Sequence, residues 1–112
     1  MSAKKRKIKV VVLASGSGSN FGALIDYAQN HDANYEIVGL IVNVPNVFAL
    51  SRAQNHNIPA KTIDHTLFVA RTEFEIELQK TLEEMGAELV VCAGFMRILG
   101  GGFVAKWEGR II

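Results

Sequence analysis

One hundred and twelve residues, 49% hydrophobic and 21% charged at a mean hydropathy of +0.19, describe one modest globular domain rather than a disordered chain. No apolar run reaches the ~18–20 residues of a membrane helix, one cysteine excludes an intrachain disulfide or Cys-rich zinc site, and two prolines exclude a Pro-rich linker. The net charge of +1 conceals an asymmetry: five of the twelve basic residues precede Val10, leaving seven basic against eleven acidic residues beyond it, which argues against a nucleic-acid-binding face.

Residues 1–7, with Lys4, Lys5, Arg6 and Lys7, read as a disordered basic tail, and the apolar run that follows is too short for the core of a signal peptide. Ile8 to Ala14 is a β-branched run bounded by Ser-Gly-Ser-Gly-Ser, the pattern of a fully buried strand. Asn20 to Gln29 places Phe21, Leu24, Ile25 and Ala28 at helical spacing, with Asn20 as the expected N-cap. Tyr35 to Val42 is a second buried strand, closed by the turn Asn43-Val44-Pro45-Asn46. Phe48 to Asn55 predicts a short helix, and Ile58 to Ile63 a third, shorter strand.

Val69 to Met85 is the best amphipathic helix, with Phe74, Leu78, Leu82 and Met85 on one stripe and Gly86 at its C-terminal end. Glu88 to Ala93 predicts a fourth buried strand, Gly94 to Gly102 a loop, and Phe103 to Trp107 a helical turn. Gly109-Arg110-Ile111-Ile112 reads as the start of a fifth strand. Strands without alternation, separated by helices, imply a doubly wound, mostly parallel Rossmann-like α/β sheet with right-handed crossovers.

Ligands of such sheets bind at the carboxyl ends of the strands, where two loops stand out. Ser15-Gly16-Ser17-Gly18-Ser19-Asn20 runs straight into a helix N-terminus, whose free N–H groups and dipole favour an anion such as phosphate. A dinucleotide fingerprint would need glycine at Phe21 and an acid at Asn43, and a P-loop would need Gly-Lys-Ser/Thr, so a phosphate monoester is favoured over NAD. The bland alternative is a tight strand–helix turn with no ligand. Gly94-Phe95-Met96-Arg97-Ile98-Leu99 combines apolar side chains with a single cation, which suits a flat organic ligand bearing carbonyl or carboxylate groups. Its bland alternative is a core-covering loop with a snorkelling arginine.

Cys92, mid-strand among Val90, Val91 and Ala93, reads as an inert buried thiol. His31 and His56 sit at predicted helix ends and are expected to satisfy terminal carbonyls. Asp64 and His65 are adjacent in a loop and are expected to diverge rather than act as an acid–base pair. No His/Cys/carboxylate spacing suits a metal.

Val10 to Asn20 and Ala93 to Leu99 together resemble the phosphoribosylglycinamide formyltransferase family, and the similarity runs across residues 8–112 as the N-terminal half of such a protein. The resemblance implies a formyltransferase fold, cut at about its fifth strand, and transfer of a formyl group from 10-formyltetrahydrofolate to glycinamide ribonucleotide in purine synthesis. It matches Gly18, Ser19 and Asn20 to the phosphate site, Gly94 and Met96 to the ribonucleotide side, and Arg97, Ile98, Leu99 and Val104 to the folate pocket. It implies these two small molecules as partners, without nucleic acid, membrane or metal, in the cytoplasm, with a homodimer as an allowed assembly.

The chain departs from that pattern in two places. The family's Asn-x-His-Pro-Ser signature, with its catalytic asparagine and histidine, and a later aspartate have no counterpart; they are expected directly after Ile112, so these 112 residues are expected to bind but not catalyse. In the family those groups stabilise an oxyanion and relay a proton as the amine attacks the formyl carbon. Gly100-Gly101-Gly102 replaces the usual Ser-Pro and is expected to loosen the helix start that presents Val104. The other readings are a non-catalytic phosphate- or nucleotide-binding Rossmann module, and another folate enzyme such as the methionyl-tRNA formyltransferase or a formyltetrahydrofolate hydrolase.

Overall fold

A computed structural model of the chain describes residues 6–97 and 99–112. The β-branched runs form strands β1 (Ile8–Ala14), β2 (Tyr35–Val42), β3 (Ala60–Thr62) and β4 (Leu89–Cys92). Helices α1 (Ser19–Asn30), α2 (Phe48–Asn55) and α3 (Arg71–Met85) connect them, and α4 (Gly101–Lys106) follows β4. Every strand pair is parallel, in the order β3-β2-β1-β4. Ile111 then bridges Val90 in parallel while Cys92 donates its N–H to the Ile112 carbonyl at 2.6 Å, so a fifth strand begins beyond β4. The doubly wound α/β fold read from the sequence is the fold adopted.

The strand order explains where each helix lies. The chain steps from β1 to β2 to β3 in one direction, then returns past β1 to β4. With right-handed crossovers, that reversal sends α3 to the face opposite α1 and α2. Alternate residues of β1 serve the two cores. Val10, Val12 and Ala14 pack with Phe21 of α1 and with Ala49 and Ala53 of α2. Val11 and Leu13 pack with Phe74, Leu78 and Leu82 of α3 and with Phe103 of α4. Each such buried Leu or Phe contributes about 1.5–3 kcal/mol, against at most about 1 kcal/mol for an exposed ion pair. Packing rather than surface charge therefore sets α3, whose Arg71–Glu75 pair stands at 3.7 Å.

Several boundaries differ from the sequence reading. Asn20 is not the N-cap: Gly18 takes that position in the left-handed region, φ 72°, and no side chain caps α1. β3 is Ala60–Thr62 rather than Ile58–Ile63, although Pro59 O and Ile63 N still bond β2, at Leu40 N and Val42 O. α3 starts at Arg71 because Val69 is wholly exposed and has nothing to pack on. A short 3-10 turn at His65–Leu67, capped by the Asp64 carboxylate on the Thr66 N–H, precedes it. α4 begins at Gly101, with Gly100 as its N-cap, instead of at Phe103. Of the expected basic tail, residues 1–5 lie outside the described residues, while Arg6 pairs with Glu88 and Lys7 is exposed.

Candidate functional site

The reversal between β1 and β4 is a topological switch point, where the loops at the strand ends separate to leave a ligand crevice. Both loops singled out in the sequence arrive there. Ala93 N bonds Leu13 O at 2.8 Å, Ser15 N bonds Gly94 O at 3.3 Å, and the Met96 N–H donates to Ser15 Oγ at 2.7 Å. Ser15 Oγ in turn donates to Asn43 Oδ1, 2.6 Å away at the end of β2.

The first loop is shaped by close approach. Gly18 lies so near α2 that a Cβ there would stand 2.7 Å from Ala49 Cβ. Arg52 of α2 donates from Nε to Ser17 O at 2.8 Å, with its guanidinium 4.9 Å from the Phe48 ring centre. The α1 ladder starts with Gly22 N on Gly18 O at 2.8 Å. Ser19 and Asn20 are thus exposed in the first turn, whose N–H groups no side chain satisfies. Free N–H groups at the positive end of a helix dipole favour an anion.

The second loop holds the cation. Arg97 Cζ lies 5.9 Å from the centre of the Phe74 ring, and its buried Nε has no partner among the described residues. A buried N–H donor left unpaired costs about 1–3 kcal/mol, which an incoming carbonyl or carboxylate would recover. Met96 is 83% exposed beside it, and Leu99 packs partly buried on the α3 side of the sheet. Gly94 is exposed and Ile98 lies outside the described residues. Val104 is 38% exposed and lines an open groove of about 470 Å³ with Glu108 and Ile111.

At Gly100-Gly101-Gly102, where a looser helix start is expected, the chain is held by a hydrogen bond to α3. Gly100 is buried, and its N–H donates to the Glu75 carboxylate, which ties the start of α4 to α3. A Cβ at Gly100 would lie 3.2 Å from both carboxylate oxygens of Glu75, so the small residue permits the tie.

The secondary features separate. Cys92 is half-buried, and burial pushes its thiol above the usual 9.0. It shares a groove of about 420 Å³ with Asn20, Leu24 and Tyr27. Asp64 and His65 diverge as expected: the former caps Thr66, whereas His65 Nδ1 faces the Asn43 carbonyl at 3.0 Å. The His31 ring meets the Tyr27 carbonyl at 3.1 Å, but the His56 ring pairs instead with Gln29 Nε2 at 3.1 Å. Ser15, Asn43, Arg52 and Glu75 were not singled out as site residues from sequence. Two of them carry a signal: Ser15 opens the Gly/Ser loop, and Asn43 is a polar side chain directly ending a buried strand. Among the described residues no group of three metal-ligating side chains forms, and no helix is long and apolar enough to cross a membrane.

Residues 8–112 match the Formyl transferase family. The chain belongs to that family. The trifunctional purine biosynthetic protein adenosine-3 of Gallus gallus is 45% identical over 106 residues, 95% of this chain and 11% of that protein. The Homo sapiens protein of the same name is 41% identical over 111 residues, again 11% of its length. Among solved structures, the phosphoribosylglycinamide formyltransferase of Coxiella burnetii superposes with a TM-score of 0.90 at 42% identity, covering 95% of this chain and 50% of that one. The Brucella melitensis enzyme of the same name gives 0.90 at 31% identity, covering 95% and 55%. The chain thus spans about half the length of these solved relatives and 11% of the two trifunctional ones.

Proposed function

We propose that the protein carrying this chain transfers a formyl group from 10-formyltetrahydrofolate to the amine of glycinamide ribonucleotide, in the cytoplasm, as a step of purine biosynthesis. One observation carries the reading: an uncapped helix start suited to phosphate and a loop with a buried, unpartnered arginine donor meet at one switch point, joined at 3.3 Å through Ser15 N and Gly94 O. Solved relatives of the same fold, at 42% and 31% identity, bear the name of that enzyme. Gly18, Ser19 and Asn20 would hold the ribonucleotide phosphate through backbone N–H groups and the Ser19 hydroxyl. Gly94 and Met96 would line the ribonucleotide side. Arg97, Ile98, Leu99 and Val104 would wall the folate, with Arg97 Nε donating to a carbonyl or carboxylate of the cofactor.

When bound, the folate supplies the activated formyl carbon; the residues present here bind and orient. The uncapped start of α1 beside Gly18 would equally serve, as a second reading, a phosphate-binding module without catalysis. Formyl transfer assayed on the full-length natural polypeptide decides between them. Turnover with glycinamide ribonucleotide supports the enzyme, and ribonucleotide binding without turnover supports the module.

A further inference from the structure

Asn43 and Thr81 are the buried polar side chains of the described core. Thr81 is satisfied within its own helix, by the Glu77 carbonyl at 2.9 Å. Asn43 is different. It is 2% exposed and reaches across the sheet to Ser15, 28 positions away. An apolar residue would spare the desolvation cost of a buried amide, so packing alone does not account for it.

The direction of the hydrogen bonds adds the second observation. Asn43 Oδ1 can only accept, so the single Ser15 hydroxyl proton goes to it, at 2.6 Å. That leaves a Ser15 lone pair for the Met96 N–H at 2.7 Å. On its other side Asn43 meets His65 Nδ1, at 3.3 Å from Nδ2 and 3.0 Å from the carbonyl oxygen. One chain of contacts, buried at Asn43, therefore ties the ends of β1 and β2, the turn after β3 and the loop after β4. Ser15 opens the Gly16-Ser17-Gly18 loop, and Met96 precedes Arg97.

We propose that Ser15 and Asn43 are positioning residues that set the phosphate loop against the Arg97 loop, and so hold the two substrates at reacting distance. The proposal rests on the formyltransferase reading above. Neither residue need touch a reacting atom. Displacing one loop by about 1 Å would misplace the amine against the formyl carbon, a change worth about a hundredfold in rate.

The test uses the full-length natural polypeptide. Ser15→Ala and Asn43→Leu are expected to lower kcat by about tenfold to a hundredfold while ribonucleotide affinity changes by less than about threefold. Ser15→Thr and Asn43→Asp, which keep the hydroxyl and the acceptor, are expected to recover most of that loss. Amide hydrogen exchange at Met96 is expected to quicken at least about tenfold in Ser15→Ala. An unchanged kcat in both disrupting variants, or no recovery in both conservative ones, overturns the proposal. If the unsubstituted protein transfers no formyl group, the functional reading fails by itself. Met96 exchange then judges the tie alone, and equal exchange in parent and Ser15→Ala overturns it.

Discussion

Gly18 and Ala49 hold the phosphate-loop backbone directly against helix α2: a methyl at Gly18 would sit 2.7 Å from Ala49 Cβ and 3.1 Å from its Cα. Neither atom can rotate aside, because the Cβ of an alanine is fixed by its helix backbone. Gly18 also has φ 72°, where an L side chain is strained. Gly18→Ala is therefore expected to lower unfolding stability by about 1–3 kcal/mol, read as a lower urea midpoint at constant m-value. Anion binding should weaken with it. A midpoint equal to the parent's would mean that α2 gives way freely.

Arg52 braces the same loop from α2 by its hydrogen bond to Ser17 O, and it fills the space that Gly22 leaves: a Cβ there would lie 2.8 Å from its terminal nitrogen. Arg52→Ala is expected to cost under about 1 kcal/mol of stability, since the side chain is half-exposed, but to weaken ribonucleotide binding about threefold to tenfold. Titration of parent and variant with glycinamide ribonucleotide checks this. Equal affinities would remove Arg52 from the site.

Lys61 Nζ lies 2.9 Å from Glu77 Oε2, and that hydrogen bond holds the Glu77 carboxyl below its usual 4.5. A folded-state pKa below the unfolded one contributes stability above the unfolded value, and the contribution disappears as pH falls through the folded value. Glu77→Gln should consequently be less stable than the parent at about pH 7, and the gap should narrow as pH falls toward about 3. Urea midpoints at both pH values test the sign. A gap that widened in acid would contradict it.

Burial raises the Cys92 thiol above 9.0, so little thiolate is present near neutrality. Alkylation by iodoacetamide at about pH 7 is expected to run at least about tenfold slower on the folded chain than on the urea-unfolded one. Rapid labelling of the folded chain would place a reactive thiol on β4 after all.

Parts of the fold were legible because their cause is local. β1 and β2 run as expected, at Ile8–Ala14 and Tyr35–Val42, since β-branched runs without alternation suit only a strand covered on both faces. α2 also keeps the expected Phe48–Asn55, and Gly86 ends α3. The misread boundaries depended on neighbours. Val69 fits the helical period but meets no core. The glycines at 100–102 read as loop until the Glu75 carboxylate, 25 positions away, ties Gly100 at the start of α4.

The same division holds at the site. By itself the sequence determined that a glycine- and serine-rich turn leads into a helix and that an apolar loop carries one arginine, because residue type and order suffice for both. Which strands become neighbours was decided only in three dimensions. The order β3-β2-β1-β4 makes β1 and β4 adjacent, and Met96 thereby reaches Ser15 across 81 positions and Ser15 reaches Asn43 across 28. Hydrogen bonds of that range leave no period in the chain; they exist because the crossover returns past β1 and brings the strand ends together.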